Sequence, residues 1–116
     1  MASLNMNGSF VLSNTEIDNQ VTKISAGNYA LGKTENGIFN VRYVGRSDSD
    51  LNARLKQHVG KHPKFKYSYA SSPKAAFEQE CRNFHDFGGV EKLENKIHPD
   101  RPEGCAWECP VCDIYD

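Results

Sequence analysis

Apolar and polar residues change period along this chain, and each change marks an element. Short apolar runs at 26–31 and 38–44, bounded by Gly and Asn, have the pattern of strands. The segment between them closes on Asn36-Gly37, a pair that tolerates positive φ. The two strands are therefore expected to form an antiparallel hairpin with a long loop. After Tyr43-Val44-Gly45 the period lengthens: Leu51, Leu55, His58 and Val59 recur at helical spacing, with Asp48 or Asp50 to cap the start and Gly60 to end it. Phe65, Tyr67 and Tyr69 then alternate with Lys64, Lys66 and Ser68, which predicts a third strand over 65–70 with one aromatic face. Ser72-Pro73 opens a second helix, with Pro73 suited to its first position. Its stripe runs through Phe77, Cys81 and Phe84 until Gly88-Gly89 stops it.

The ends of the chain lack such periods. Residues 1–23 are polar and rich in Asn and Ser apart from Phe10-Val11-Leu12, and they are expected to form a poorly ordered or loosely docked arm. Residues 24–116 would form the domain, with an irregular tail from about residue 90 that needs something other than a core to hold it. The order β-β-α-β-α predicts an α+β fold with a three-stranded mixed or antiparallel sheet flanked by helices.

Composition narrows the function classes. A chain of 116 residues, 38% hydrophobic and 25% charged, suits one core. A net charge of −1 argues against a protein whose whole task is to coat a phosphate backbone. The charges are sorted locally instead. Arg54, Lys56, Lys61, Lys64 and Lys66 fall in thirteen residues without an acid, which suits either a short nucleic-acid contact or a solvated lysine face. No apolar run is long enough to span a bilayer. The first eight residues have neither the basic cluster nor the apolar stretch of a secretory signal, so a cytoplasmic location is expected, and export by a route that reads no such signal stays open.

Several residues offer chemistry. Arg54 and His58 stand one helical turn apart at the edge of the apolar stripe, where a guanidinium can grip a phosphate oxygen and offset charge in phosphoryl transfer. Glu80 sits on or beside the stripe of the second helix. A carboxylate there needs a partner, and one holding a hydrated Mg²⁺ is ordinary at a phosphate site. Tyr29 and Tyr43 flank glycine punctuation in the hairpin, and a phenol can relay a proton when cations depress its pKa. Asn95 can anchor a loop or contact a phosphate.

In this order the residues resemble the GIY-YIG nuclease family over about residues 24–100. Gly27-Asn28-Tyr29 is similar to its first motif and Tyr43-Val44-Gly45 to its second. Arg54, His58, Glu80 within Phe77-Glu78-Gln79-Glu80, and Asn95 follow as its arginine, histidine, glutamate and asparagine. The resemblance implies phosphodiester hydrolysis, usually of DNA, with Mg²⁺ or Mn²⁺ held by Glu80, phosphate neutralised by Arg54 and water deprotonated with help from Tyr29 or Tyr43. It also implies dependence on a targeting domain or partner protein. A non-catalytic module that binds nucleic acid or protein is the alternative. Asn28 departs from the aliphatic residue of the first motif, and strand alternation turns it away from Tyr29, toward what would be a different outer surface.

The cysteines suggest a second metal. Cys109-Pro110-Val111-Cys112 is half of a common zinc site, and Cys81 and His85 stand four apart on the second helix. Zn²⁺ held by Cys81, His85, Cys109 and Cys112 would staple the tail to that helix, with Cys105 and His98 as substitute ligands.

Overall fold

The N-terminal residues that read as a loose arm contribute two elements, β1 (Asn7–Val11) and α1 (Asn14–Gln20). Ser13 caps the helix by accepting a hydrogen bond from the Glu16 N–H at 3.1 Å. Leu12, Ile17 and Val21 are buried in one cluster with Phe65 and Tyr67. Three apolar positions among polar ones set no visible period, yet each lands on the core. The computed structural model describes residues 6–101, 104–112 and 114, so the first five residues of that arm lie outside the described residues.

The hairpin follows as β2 (Gly27–Glu35) and β3 (Ile38–Ser47). Its loop is short, not long. Asn36 and Gly37 have φ of 51° and 78°, the left-handed pair that a two-residue turn needs to match the twist of its strands. The ladder pairs Tyr29 with Gly45 and Leu31 with Tyr43, and its register shifts between Leu31 and Gly32. Helix α2 (Leu51–Lys56) is capped by Asp50, whose carboxylate accepts from the Ala53 N–H. It ends earlier than the spacing suggests, and tighter turns carry the chain past His58 and Val59. Strand β4 (Lys64–Tyr69) buries Phe65 and Tyr67. Helix α3 (Pro73–Asp86) starts as expected, with the Ser72 hydroxyl accepting from the Ala75 N–H. A single further turn, α4 (Gly89–Lys92), leads into the tail.

The sheet is therefore four-stranded and antiparallel, in the order β1-β4-β2-β3, and not three-stranded. The extra strand is β1, which covers the free edge of β4. Tyr29, Leu31, Phe65 and Tyr67 point to one face, where Ile17 of α1 and Leu51 and Leu55 of α2 cover them. Ala30 and Val44 point to the other, under Phe84 of α3 and Leu93. Strand β3 is left at the edge, with α2 and α3 on opposite sides of it. Among the described residues no helix is long and apolar enough to cross a membrane.

If α1 is integral to the core, Ile17→Ala should lower unfolding stability by roughly 2–4 kcal/mol in urea titration. A loosely docked arm would give a change within about 0.5 kcal/mol.

Candidate functional site

A polar pocket of about 200 Å³ opens at the C-terminal half of β3, lined by Tyr29, Tyr43, Gly45, Arg46, Asp48, Arg54, Glu80 and Asp100. Gly45 makes it possible: a Cβ there would overlap the Tyr29 phenol directly across the ladder. Because β3 is the edge strand, Arg54 from the α2 side and Glu80 from the α3 side line one cavity. Four of the residues singled out in the sequence, Tyr29, Tyr43, Arg54 and Glu80, thus share one site.

Their electrostatics differ from the expectation of a lone carboxylate and two reactive phenols. Glu80 is 8% exposed and accepts a 2.6 Å bond from Arg46 Nη1. Burial holds its carboxyl above the usual carboxylate range despite that cation. Arg46 also donates from Nε to Asp48 at 2.9 Å and from Nη2 to the Asp100 carbonyl at 2.6 Å. The sequence reading missed Arg46, Asp48 and Asp100. The available signal was an arginine directly after Tyr43-Val44-Gly45, turned by alternation toward the helix that carries Glu80. Arg54 has no carboxylate within ion-pair distance among the described residues; its Nη1 lies 3.5 Å from the Gln57 amide oxygen. It is the cation of the pocket left open to an anion.

Tyr29 and His58 form a pair, Oη to Nε2 at 2.8 Å, with the Tyr43 ring stacked on Tyr29 and tilted against His58. Burial pushes the Tyr29 phenol up, and it stays protonated. Burial and the nearby Lys61 and Arg54 push His58 down to about 4, so the ring that meets the Tyr29 hydroxyl is neutral. Tyr43 is also raised, by burial and then by Glu80. In this arrangement Tyr29 is a protonated phenol sharing a hydrogen bond with a neutral imidazole.

Other expected residues fall elsewhere. Asn95 is 8% exposed and brackets the β3 backbone, accepting from the Val44 N–H at 3.0 Å and donating to the Val44 carbonyl at 2.8 Å. It is a loop anchor, because an edge strand leaves one row of peptide groups for a side chain to satisfy. Asn28 does point away from Tyr29, but its amide donates to the Ala76 carbonyl of α3 and is buried, so it forms no outer surface. The lysines do not make one patch. Lys56 is held by Asp18 at 2.6 Å. Lys64 and Lys66 alternate with buried Phe65 and Tyr67, and Lys66 lies over Phe39 on the opposite sheet face. Only Lys61 neighbours the site, in a hollow shared with Tyr43 and His58.

The tail carries the second cluster. His85, His98, Cys109 and Cys112 each offer one ligand atom, and all four atoms lie within 4.8 Å of one another. His98 Nε2 is 3.1 Å from His85 Nε2 and 3.4 Å from Cys112 Sγ. Bonds of roughly 2.0–2.3 Å in a tetrahedral zinc site set ligand atoms roughly 3.3–3.8 Å apart, so the donor set fits. His98 Nδ1 lies 2.8 Å from the Pro99 carbonyl and donates to it, which leaves Nε2 unprotonated for a metal. Burial would raise the Cys109 thiol, but hydrogen bonds from the Val111 and Cys112 backbone, with His98, bring it down to about 6. The zinc set expected from sequence is corrected at one ligand: His98 replaces Cys81. Cys81 lies on the inner stripe of α3, fully buried against Phe77, and burial and its hydrogen bond to Cys109 raise its thiol. It backs the cluster from the core. Cys105 lies beside Trp107, outside the four-ligand cluster.

Comparison with protein-family models, with curated proteins and with solved structures finds no match for this chain. The chain is a small α+β domain with a His₂Cys₂ cluster of zinc-binding character, compatible with a structural or a catalytic role.

Two measurements check this geometry. Purified protein should carry about one equivalent of zinc. His98→Ala should lose it and Cys81→Ala should keep it; the reverse result would restore the sequence-derived ligand set. The His58 ring should titrate in NMR near pH 4, well below the ordinary 6.5. Because the unfolded chain takes up that proton first, the stability tied to neutral His58 is present above pH 6.5 and is lost as pH falls toward 4. His58→Gln should flatten the pH dependence of stability across that window.

Proposed function

We propose that this chain is a zinc-stapled module that binds nucleic acid, with the Gly45 pocket taking a backbone phosphate. The observation that carries the reading is Arg54, a cation without an ion-pair partner among the described residues, in a pocket otherwise lined by phenols and an Arg–carboxylate network. A bidentate guanidinium grip on a phosphate is the interaction such a residue makes best. Lys61 beside His58 extends the positive character past Tyr43. Binding without turnover is favoured by the commitment of Glu80 to Arg46 at 2.6 Å and by a Tyr29 that stays protonated.

Hydrolysis is the second reading, and one specific observation favours it. Tyr29, Tyr43, Arg54 and Glu80, the residues on which the GIY-YIG resemblance rests its chemistry, all line the same cavity. The donors suit a hydrated Mg²⁺ or Mn²⁺, since Glu80, Asp48 and Asp100 are hard oxygen residues. When bound, such an ion supplies Lewis-acid polarisation of the phosphate. Arg54 would neutralise a phosphate oxygen, Tyr43 would contact the attacking water, and the Tyr29–His58 pair would hold the proton path. DNA is the substrate in this reading, and targeting falls to a partner or attached domain.

One experiment separates the readings. A labelled duplex should bind the wild-type protein, and Arg54→Ala should weaken binding at least about tenfold in fluorescence anisotropy. Plasmid incubated with Mg²⁺ should stay intact under the binding reading. Cutting that stops with chelator and with Glu80→Gln would establish hydrolysis instead. Glu80→Gln is preferred to alanine because its amide oxygen can still accept from Arg46 Nη1, whereas truncation would leave that buried donor without its acceptor. Absence of any duplex binding would overturn both.

A further inference from the structure

One side chain joins the metal cluster to the pocket. Arg46 Nη2 donates to the Asp100 carbonyl at 2.6 Å, and Asp100 follows the ligand His98 by two residues. The Arg46 guanidinium also lies over the Phe77 ring, 5.1 Å from its centroid. The Trp107 ring contacts Phe77 at 5.8 Å, and Trp107 is two residues before the ligand Cys109. The tail is tied across itself as well, since Arg101 Nη1 donates to the Trp107 carbonyl at 2.8 Å. Phe77, Cys81 and Cys109 form one buried cluster with Trp107 and Cys112 against it. Thus two stretches of tail, each carrying residues of the cluster, bear on the same guanidinium, one by a direct hydrogen bond and one through the tilted Trp107–Phe77 ring contact.

We propose that the metal-clipped tail is a positioning element for the pocket, acting through Arg46. The ligands fix the tail, the tail fixes the guanidinium, and the guanidinium sets the Asp48 and Glu80 carboxylates against the space that Arg54 faces. The tail has little core of its own, so the bound metal is what holds it in place. The planar fork of arginine suits this task, because three partners in one plane fix its orientation as a single flexible ammonium would not. Arg46 is a positioning residue, since it acts through Asp48, Glu80, the Asp100 carbonyl and the Phe77 ring. Metal loss then disorders the pocket wall from a distance while the sheet persists. The consequence for ligand binding rests on the nucleic-acid reading above; the positioning of Arg46 does not.

The test compares zinc-loaded protein with protein stripped by chelator, reading the Arg46 side-chain Nε–H signal by NMR. In loaded protein the signal should be sharp and slow to exchange with water. Stripping should speed its exchange at least about tenfold, while the amides of Ala30, Leu31 and Phe65 keep their protection. Trp107→Ala, at full zinc content, should move the same signal in the same direction by a smaller amount. An Arg46 signal unchanged on stripping overturns the proposal. If stripping unfolds the sheet, Trp107→Ala decides, and an unchanged Arg46 signal in that variant overturns it. A labelled duplex added to each sample separates the two claims: Arg46 responding in a protein that binds no duplex leaves the positioning role standing and removes the nucleic-acid reading.

Discussion

The Arg46–Glu80 ion pair links an edge strand, the longest helix and the C-terminal tail at one point. Both side chains are largely withdrawn from water, at 12% and 10% exposure. Removing two charges from water costs several kcal/mol per ion, so such a pair persists only where further hydrogen bonds complete it. Here Asp48 and the Asp100 carbonyl do so, and the Phe77 ring covers one face of the guanidinium. What the network gains is geometry more than stability. It fixes where β3, α3 and the tail meet, and the pocket exists at that meeting.

A second constraint makes the meeting useful. Helices α2 and α3 lie on opposite faces of the sheet, and a full-width strand would keep their side chains apart. Because β3 is an edge strand and Gly45 has no side chain, Tyr29 fills the space across the ladder and both helices reach a common cavity. Asn95 covers the outer side of β3 at Val44, where it pairs both the N–H and the carbonyl that an edge strand leaves open.

The tail illustrates how a small domain extends beyond its core. Among the described residues from 93 on, few side chains are buried, and two of them, Leu93 and Asn95, pack or bond against β3. The rest is organised around two imidazoles and two sulfurs. A His₂Cys₂ set confers order in proportion to metal affinity, and so supplies what apolar area does not. Cys81 shows the division of labour: a thiol that could have been a ligand is packed instead under the cluster, joining it to Phe77.

The sequence by itself determined the local elements that rest on backbone chemistry and periodicity. The Asn36-Gly37 turn, the Ser72-Pro73 helix start, the aromatic alternation of 65–69 and the identity of Tyr29, Tyr43, Arg54 and Glu80 as pocket residues were all legible in it. His85, Cys109 and Cys112 were also singled out from spacing as one group, with His98 as a substitute, and these four are the residues that cluster. Only the tertiary structure decided the rest, because it depends on contacts between residues far apart in the chain. Leu12, Ile17 and Val21 have no period to mark them, and their burial requires β4 and α2 to be in place. His98 outranks Cys81 because the direction in which α3 presents each side chain depends on what packs beneath it. Arg46 reads as one more surface arginine until β3, α3 and Asp100 converge around it. Spacing along a chain reports which side chains can share a face; which of them share a partner is fixed by the approach of separate elements in space.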